Sequence, residues 1–150
     1  MRVHILIALI AALALSVSCG DETPTSPTDT STSSSTTTTT AAAPTVSEEF
    51  SSVVPVGGSK FYSFTTSTYG TLNLTLASVG GSFVPSTVML GLGLGQPSGT
   101  DCVTTSTVNT AAGSAVQLTG AYNAGVYCAK VFDIGNLFAP ASFNVTIAYP

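Results

Sequence analysis

Gly70-Thr71-Leu72-Asn73-Leu74-Thr75-Leu76 is the stretch that decides the fold class of this chain. Leucine falls at every second position and a polar residue stands between each pair. Successive side chains of a strand point to opposite faces, so the three leucines share one face and the polar residues the other. The same period of two returns in Ser142-Phe143-Asn144-Val145-Thr146-Ile147, and in Val88, Leu90, Leu92 and Leu94 between Met89, Gly91, Gly93 and Gly95. Tyr62 with Phe64, and Val116 with Leu118, make shorter pairs. No window beyond residue 46 sustains the 3.6-residue apolar period of a helix.

Working outward from these runs, eight strands are predicted: 47–54, 59–66, 70–77, 86–94, 101–105, 114–119, 125–133 and 142–149. Turn residues separate them, among them Gly57-Gly58, Gly80-Gly81, Gln96-Pro97-Ser98-Gly99 and Gly135-Asn136. Many short strands with regular turns imply an all-β fold, an antiparallel β-sandwich of jelly-roll type, over residues 46–150. Composition agrees. Only 7% of residues are charged, against roughly 25% in ordinary globular proteins. Ser and Thr supply the polarity, and Thr suits a pleated surface better than Lys or Glu does.

The first 18 residues read differently. Arg2 gives a positive start, and residues 5–17 are apolar except for Ser16. Thirteen residues fall short of the roughly 20 needed to span a bilayer, so this is the apolar region of an export signal. It closes in Leu15-Ser16-Val17-Ser18-Cys19-Gly20, which resembles the bacterial lipobox. In that reading residues 1–18 are removed and the Cys19 thiol takes the lipid, the membrane being engaged through the N-terminal acyl chains. The competing reading is an ordinary signal cut near Ser18, with Cys19 a bystander. Asp21 stands at the third mature position, which permits sorting to an outer membrane by the usual enteric rule. The expected location is the cell envelope, facing the periplasm or the cell surface.

Residues 19–45 are low in complexity, with Pro24, Pro27 and Pro44, the polar run 30–40 and no large apolar side chain. Such a segment cannot bury enough surface to offset its ordering entropy and is predicted to be a disordered tether. The 26 residues after Cys19 would span roughly 25–30 Å as a flexible coil.

Cys102 and Cys128 are the only cysteines of residues 46–150. An exported chain meets an oxidising compartment, so a disulfide between them is the first expectation, worth about 3–4 kcal/mol. A redox or metal role is the alternative, and the spacing is not that of a zinc or thioredoxin motif.

Four segments resemble the bacterial pre-peptidase C-terminal domain, a jelly-roll module appended to secreted proteases. They are Val56-Gly57-Gly58-Ser59-Lys60-Phe61-Tyr62-Ser63-Phe64, then Gly70-Thr71-Leu72-Asn73-Leu74-Thr75-Leu76, Gly125-Val126-Tyr127-Cys128-Ala129-Lys130-Val131 and Ser142-Phe143-Asn144-Val145-Thr146-Ile147. The resemblance implies a non-catalytic accessory or binding module. Some members bind calcium through an acidic N-terminal segment. Here that segment offers only Glu48 and Glu49, so calcium is not carried over. No protease domain accompanies the module in this sequence.

Hydrolytic chemistry needs a base beside a nucleophile. His4, the one histidine, leaves with the signal. Glu48 and Glu49 are adjacent, so a strand points them to opposite faces. There is no G-x-S-x-G nucleophile motif. The chain is therefore expected not to be an enzyme and to need no cofactor. Two mature lysines, Lys60 and Lys130, with a net charge of -4, exclude nucleic acid and electrostatic attraction to anionic lipid. Asp101, Asp133 and Asn136 form a weak calcium candidate. The competing reading makes Asp133 the first residue of the Asp133-Ile134-Gly135-Asn136 turn, accepting backbone hydrogen bonds. Gly91, Gly93 and Gly95 bare one strand face, for a ligand or for covering side chains of the next strand. Tyr69, Tyr122 and Phe138 fall in or near predicted loops and are the candidate binding rim. The expected function is a lipid-anchored binding or adhesion module recognising protein or carbohydrate. The alternative is a structural or assembly subunit packing on another envelope protein.

Overall fold

The computed structural model describes residues 39–150. The segments expected to be an export signal and a tether, with Cys19 between them, lie outside the described residues up to residue 38. Eight strands follow in order: β1 (Val46–Val54), β2 (Ser59–Thr66), β3 (Gly70–Gly80), β4 (Leu90–Ser98), β5 (Asp101–Thr110), β6 (Leu118–Tyr122), β7 (Gly125–Phe132) and β8 (Ala141–Tyr149). They form two four-stranded sheets, β1-β8-β3-β6 and β2-β7-β4-β5, with every neighbouring pair antiparallel. Apart from the β4–β5 hairpin, successive strands alternate between sheets. That order is the jelly roll, and the all-β sandwich expected from the sequence is the observed fold.

The leucines of β3 and β4 fill the space between the sheets. Leu74 lies opposite Ile147 and Leu118, Leu76 opposite Val145, Leu92 opposite Val131 and Leu94 opposite Ala129. Leu72, Leu74, Leu76, Leu90, Leu92 and Leu94 are all fully buried. Each gains about 1.5–3 kcal/mol from burial, and truncation to Ala at any one would cost roughly 2–5 kcal/mol.

The largest departures from the expected strand limits are at β4, β5 and β6. β4 was predicted over 86–94 but runs over Leu90–Ser98. Gly95 is its last residue paired with β7, whereas Pro97 pairs only with Cys102 on β5. A residue without an N–H is tolerated where a strand has one neighbour instead of two. The turn expected at 96–99 is thereby reduced to 99–100, with Gly99 at φ 58°. β5 was predicted to stop at 105 and continues to Thr110, its Ser and Thr side chains bordering solvent. β6 was predicted over 114–119 and occupies Leu118–Tyr122, leaving Val116 exposed. Residues 111–117 instead cross between the sheets. They dock through Gly113 N–H to Leu76 O at 2.9 Å, Gln117 N–H to Leu74 O at 3.1 Å, and Leu76 N–H to Gln117 Oε1 at 2.7 Å.

The sandwich has two unlike ends. Connections 55–58, 81–89, 111–117 and 133–140 lie at one, here the loop end. The tight turns 67–69, 99–100 and 123–124 lie at the other, the turn end. The chain enters at the turn end, where Val46 pairs with Tyr149. Ala42, within the segment read as tether, bridges to Gly70 there, its carbonyl accepting from Thr71 N–H at 2.8 Å. The last residues before β1 are therefore held on the domain. At about 3.3 Å per residue, the length of β3 separates the two ends by roughly 33 Å.

Candidate functional site

Two hollows flank loop 133–140, one on the outer face of the second sheet and one at the loop end. The larger, about 380 Å³, is an open groove lined by Gly57, Gly58, Ser59, Thr104, Lys130, Phe132 and Asp133. Its location follows from strand period. Ala129 and Val131 point into the core, so Lys130 and Phe132 point outward from the second sheet. Ser59 pairs with Phe132, and Gly91 and Gly93 lie on the far side of β7 opposite Phe132 and Lys130.

The glycine stripe finds its reason here. A Cβ on Gly91 would fall 2.2 Å from Phe132 ring carbons, and one on Gly93 would fall 2.6 Å from the Thr104 methyl. The ring and the methyl lie down on bare backbone. Gly95 differs: its Cβ would sit 1.9 Å from the Val103 carbonyl oxygen, at an irregularity in the β4–β5 register. Side chains and backbone of neighbouring strands thus cover the stripe, and an aromatic ring is one of them.

Electrostatics in the groove are settled locally. Lys130 Nζ donates to Asp101 Oδ1 at 2.8 Å and to Cys102 O at 3.4 Å. The ammonium, with the Cys102 N–H, holds the Asp101 carboxyl below the usual carboxylate range. Asp133 Oδ2 accepts from Gly57 N–H at 2.8 Å, and Oδ1 from the N–H groups of Gly135, Asn136 and Leu137 at 2.8, 3.1 and 3.3 Å. Burial pushes its pKa up, but the four backbone donors outweigh that and leave it lowered.

Asp133 is therefore the first residue of its turn, as in the competing reading, and it also pins the 55–58 turn. Of the calcium candidates, Asp101 is engaged by an ammonium and Asp133 by backbone N–H groups, while Asn136 turns its Nδ2 to Met89 O at 3.0 Å and keeps a buried Oδ1 without a partner. Among the described residues no three acidic, cysteine or histidine side chains come together. Cys102 and Cys128 are joined as a disulfide on the same outer face, beyond Lys130 towards the turn end, with 6.0 Å between their Cα atoms.

The second hollow, about 110 Å³, is lined by Phe83, Val84, Pro85, Val88, Asn136, Leu137 and Phe138. Phe138 is 98% exposed and Phe83 96% exposed. Phe83 takes φ 66°, a conformation costly for a side chain of that size, and it does so at a loop tip. Phe138 is in the candidate rim; Phe83 is not, although it falls in the predicted loop between strands 70–77 and 86–94 and the same signal, an aromatic in a loop, points to it.

The rest of the expected rim is elsewhere. Tyr122 pairs with Gly70, next to Tyr69, at the turn end. Its ring packs on Tyr127 with centroids 5.4 Å apart, at the margin of the core. Tyr69 and Tyr122 are thus brought together, roughly 33 Å from Phe138 by strand length.

One polar cluster escaped sequence reasoning altogether. Glu48 and Glu49 do point opposite ways: Glu49 is exposed and accepts from Asn144, whereas Glu48 turns inward and accepts the Tyr149 hydroxyl. That hydrogen bond, with burial and the negative charge, pushes the Tyr149 phenol up to about 12. Tyr62 beside it is raised as well, chiefly by Glu48. Phe50 stacks on Tyr62 at 5.6 Å, so this cluster closes the edge between β1 and β2.

No family model matches this chain and no curated protein matches it.

Proposed function

We propose that this chain is a non-catalytic, lipid-anchored binding module of the bacterial cell envelope, recognising protein or carbohydrate through its loop end. One observation carries the reading: the chain enters the sandwich at the turn end, the smaller hollow and the two most exposed phenylalanines lie at the opposite end, and the larger hollow opens there and runs onto the outer face of the second sheet. A module held by an acylated Cys19 through a spacer would turn that end away from its own membrane. The low charge, the lipobox-like Leu15-Ser16-Val17-Ser18-Cys19 and the resemblance to the pre-peptidase C-terminal domain support it. So does the engagement of Asp101 by an ammonium and of Asp133 by backbone N–H groups.

Mass spectrometry of the mature chain from its native membrane tests the anchor. An N-terminal Cys19 carrying acyl chains is expected, and an unmodified N-terminus elsewhere refutes it. Recognition is tested by the Phe83→Ser/Phe138→Ser double variant against a panel of envelope proteins and glycans. Unchanged binding would show that the recognition surface lies elsewhere.

A second reading, a subunit packing on another envelope protein, draws on β5. This ten-residue edge strand has no described neighbour on its outer side and carries no charge after Asp101. Long uncharged edges rich in β-branched residues are templates for strand addition. A charge placed mid-edge, Thr105→Lys, would abolish such packing and leave loop-end binding intact.

A further inference from the structure

We propose that the groove on the outer face of the second sheet binds a neutral glycan, one sugar ring lying with its C–H face on Phe132. This deepens the binding-module reading and rests on it. The argument is a match of chemistry around one apolar plate. Phe132 is half-buried, backed by the bare Gly91, and forms the apolar wall of the groove. Lys130 has three N–H donors, of which Asp101 and Cys102 take two, leaving one. A carboxylate offers about four acceptor sites. That is about two on each oxygen: Oδ1 of Asp133 is shared among three donors, whereas Oδ2 takes only the Gly57 N–H, so acceptor capacity remains on Oδ2 at the groove rim. Ser59 and Thr104 add hydroxyls that donate and accept.

A donor, an acceptor and two hydroxyls thus surround an aromatic ring. A pyranose presents the complement, an apolar C–H face edged by hydroxyls. Other ligand classes fit less well. An anion would meet an ammonium already committed to Asp101 and would face Asp133. A cation would meet Lys130. A purely apolar ligand would strip water from four polar side chains and give them nothing in return. The volume of about 380 Å³ lies near the lower end of small-ligand sites, which run from about 300 to 1,000 Å³. Because the groove is open, a longer chain can continue past the bound ring.

The test is a ¹H–¹⁵N NMR titration of the mature chain with neutral oligosaccharides: gluco-, galacto-, manno-, xylo- and N-acetylglucosamine oligomers. Saturable shifts are expected at the amides of Gly57, Gly58, Ser59, Thr104, Lys130 and Phe132 for at least one of them. Phe132→Ala is expected to weaken that binding at least tenfold, and Phe132→Tyr to retain it. Should Phe132→Ala melt early, Thr104→Val and Ser59→Ala carry the same test, each expected to weaken binding several-fold. The proposal is overturned if no oligosaccharide moves these amides, or if binding survives all three removals. In either case, binding of an envelope protein that depends on Phe83 and Phe138 would leave the broader module reading standing. No binding of either class would refute both.

Discussion

Removing the Cys102–Cys128 bridge should lower the stability of the domain by about 3.5 kcal/mol. The two cysteines are 26 residues apart, and in the chain-entropy model a loop of that length costs the unfolded chain about 12 cal/mol/K, hence about 3.5 kcal/mol at 25 °C. A domain covering residues 39–150 has an unfolding entropy near 0.23 kcal/mol/K, taking about 2.1 cal/mol/K per residue. The melting temperature should therefore fall by roughly 15 °C. The loss should also be uneven. β4 leaves β7 after Gly95, so the hairpin segment 96–103 is tied to the rest of its sheet by the bridge and by Lys130. Hydrogen exchange of those amides should accelerate more than that of β3 or β8. The assay is calorimetry and hydrogen exchange on the oxidised protein and on Cys102→Ala/Cys128→Ala in the same buffer. A fall in melting temperature below about 5 °C would refute the reasoning, because the unfolded chain would then hold the hairpin near β7 without the bridge. Uniform acceleration of exchange would refute the local part alone.

Gly95→Ala should cost at least about 3 kcal/mol in urea denaturation, the upper end for an overpacked core, since its Cβ meets backbone at 1.9 Å. Gly57→Ala, with φ 68° but open space around it, should cost only about 1–2 kcal/mol, and a reversed order would contradict this account. Tyr149 has its pKa raised from 10.0 to about 12. A group raised on folding lends full stability below its unfolded pKa, so stability should hold to pH 10 and decline towards 12. Glu48→Gln should bring the Tyr149 phenolate transition, followed by ultraviolet absorbance, down towards 10. Asp133, by contrast, is lowered from 3.8, so its contribution is present above pH 3.8 and is lost as the pH falls further. Asp133→Ala should cost roughly 1.5–3 kcal/mol at neutral pH, and its stability curve should be flatter in acid than that of the parent.

β3 and β8 could be read from the sequence because one face of each meets core and the other meets polar neighbours, so burial and polarity alternate together. β4 could not be placed as well. Its leucines alternate, but Val88 and Met89 continue that period although Val88 N–H is taken by Pro85 O in a turn and the strand begins only at Leu90. Pro97 looked like a turn because its tolerance depends on where β7 stops pairing, which no local window contains. Val116 and Leu118 imitate a period of two, so a segment that crosses between sheets read as a strand, where Gln117 instead meets the backbone of β3. The same distinction holds for the site. Asp133-Ile134-Gly135-Asn136 is a local turn and was legible. The groove joins Ser59, Thr104, Lys130 and Phe132 through the register of four strands, and register is fixed only when the sheets form. Phe138 was legible as a loop aromatic, but its partner in the loop end is Phe83 and not Tyr69 or Tyr122.

The antiparallel pairing of β1 with β8 has a mechanical consequence. Nine residue pairs join them, from Val46–Tyr149 to Val54–Ala141, and their hydrogen bonds run across the strands. Tension between the point where the chain enters and a ligand gripped at the loop end would run along β1. The whole ladder would then be loaded in shear at once. Pulling β1 sideways would instead open one pair at a time, at far lower force. The domain is thus built to hold a load along its long axis, in the direction that a tethered grip would pull.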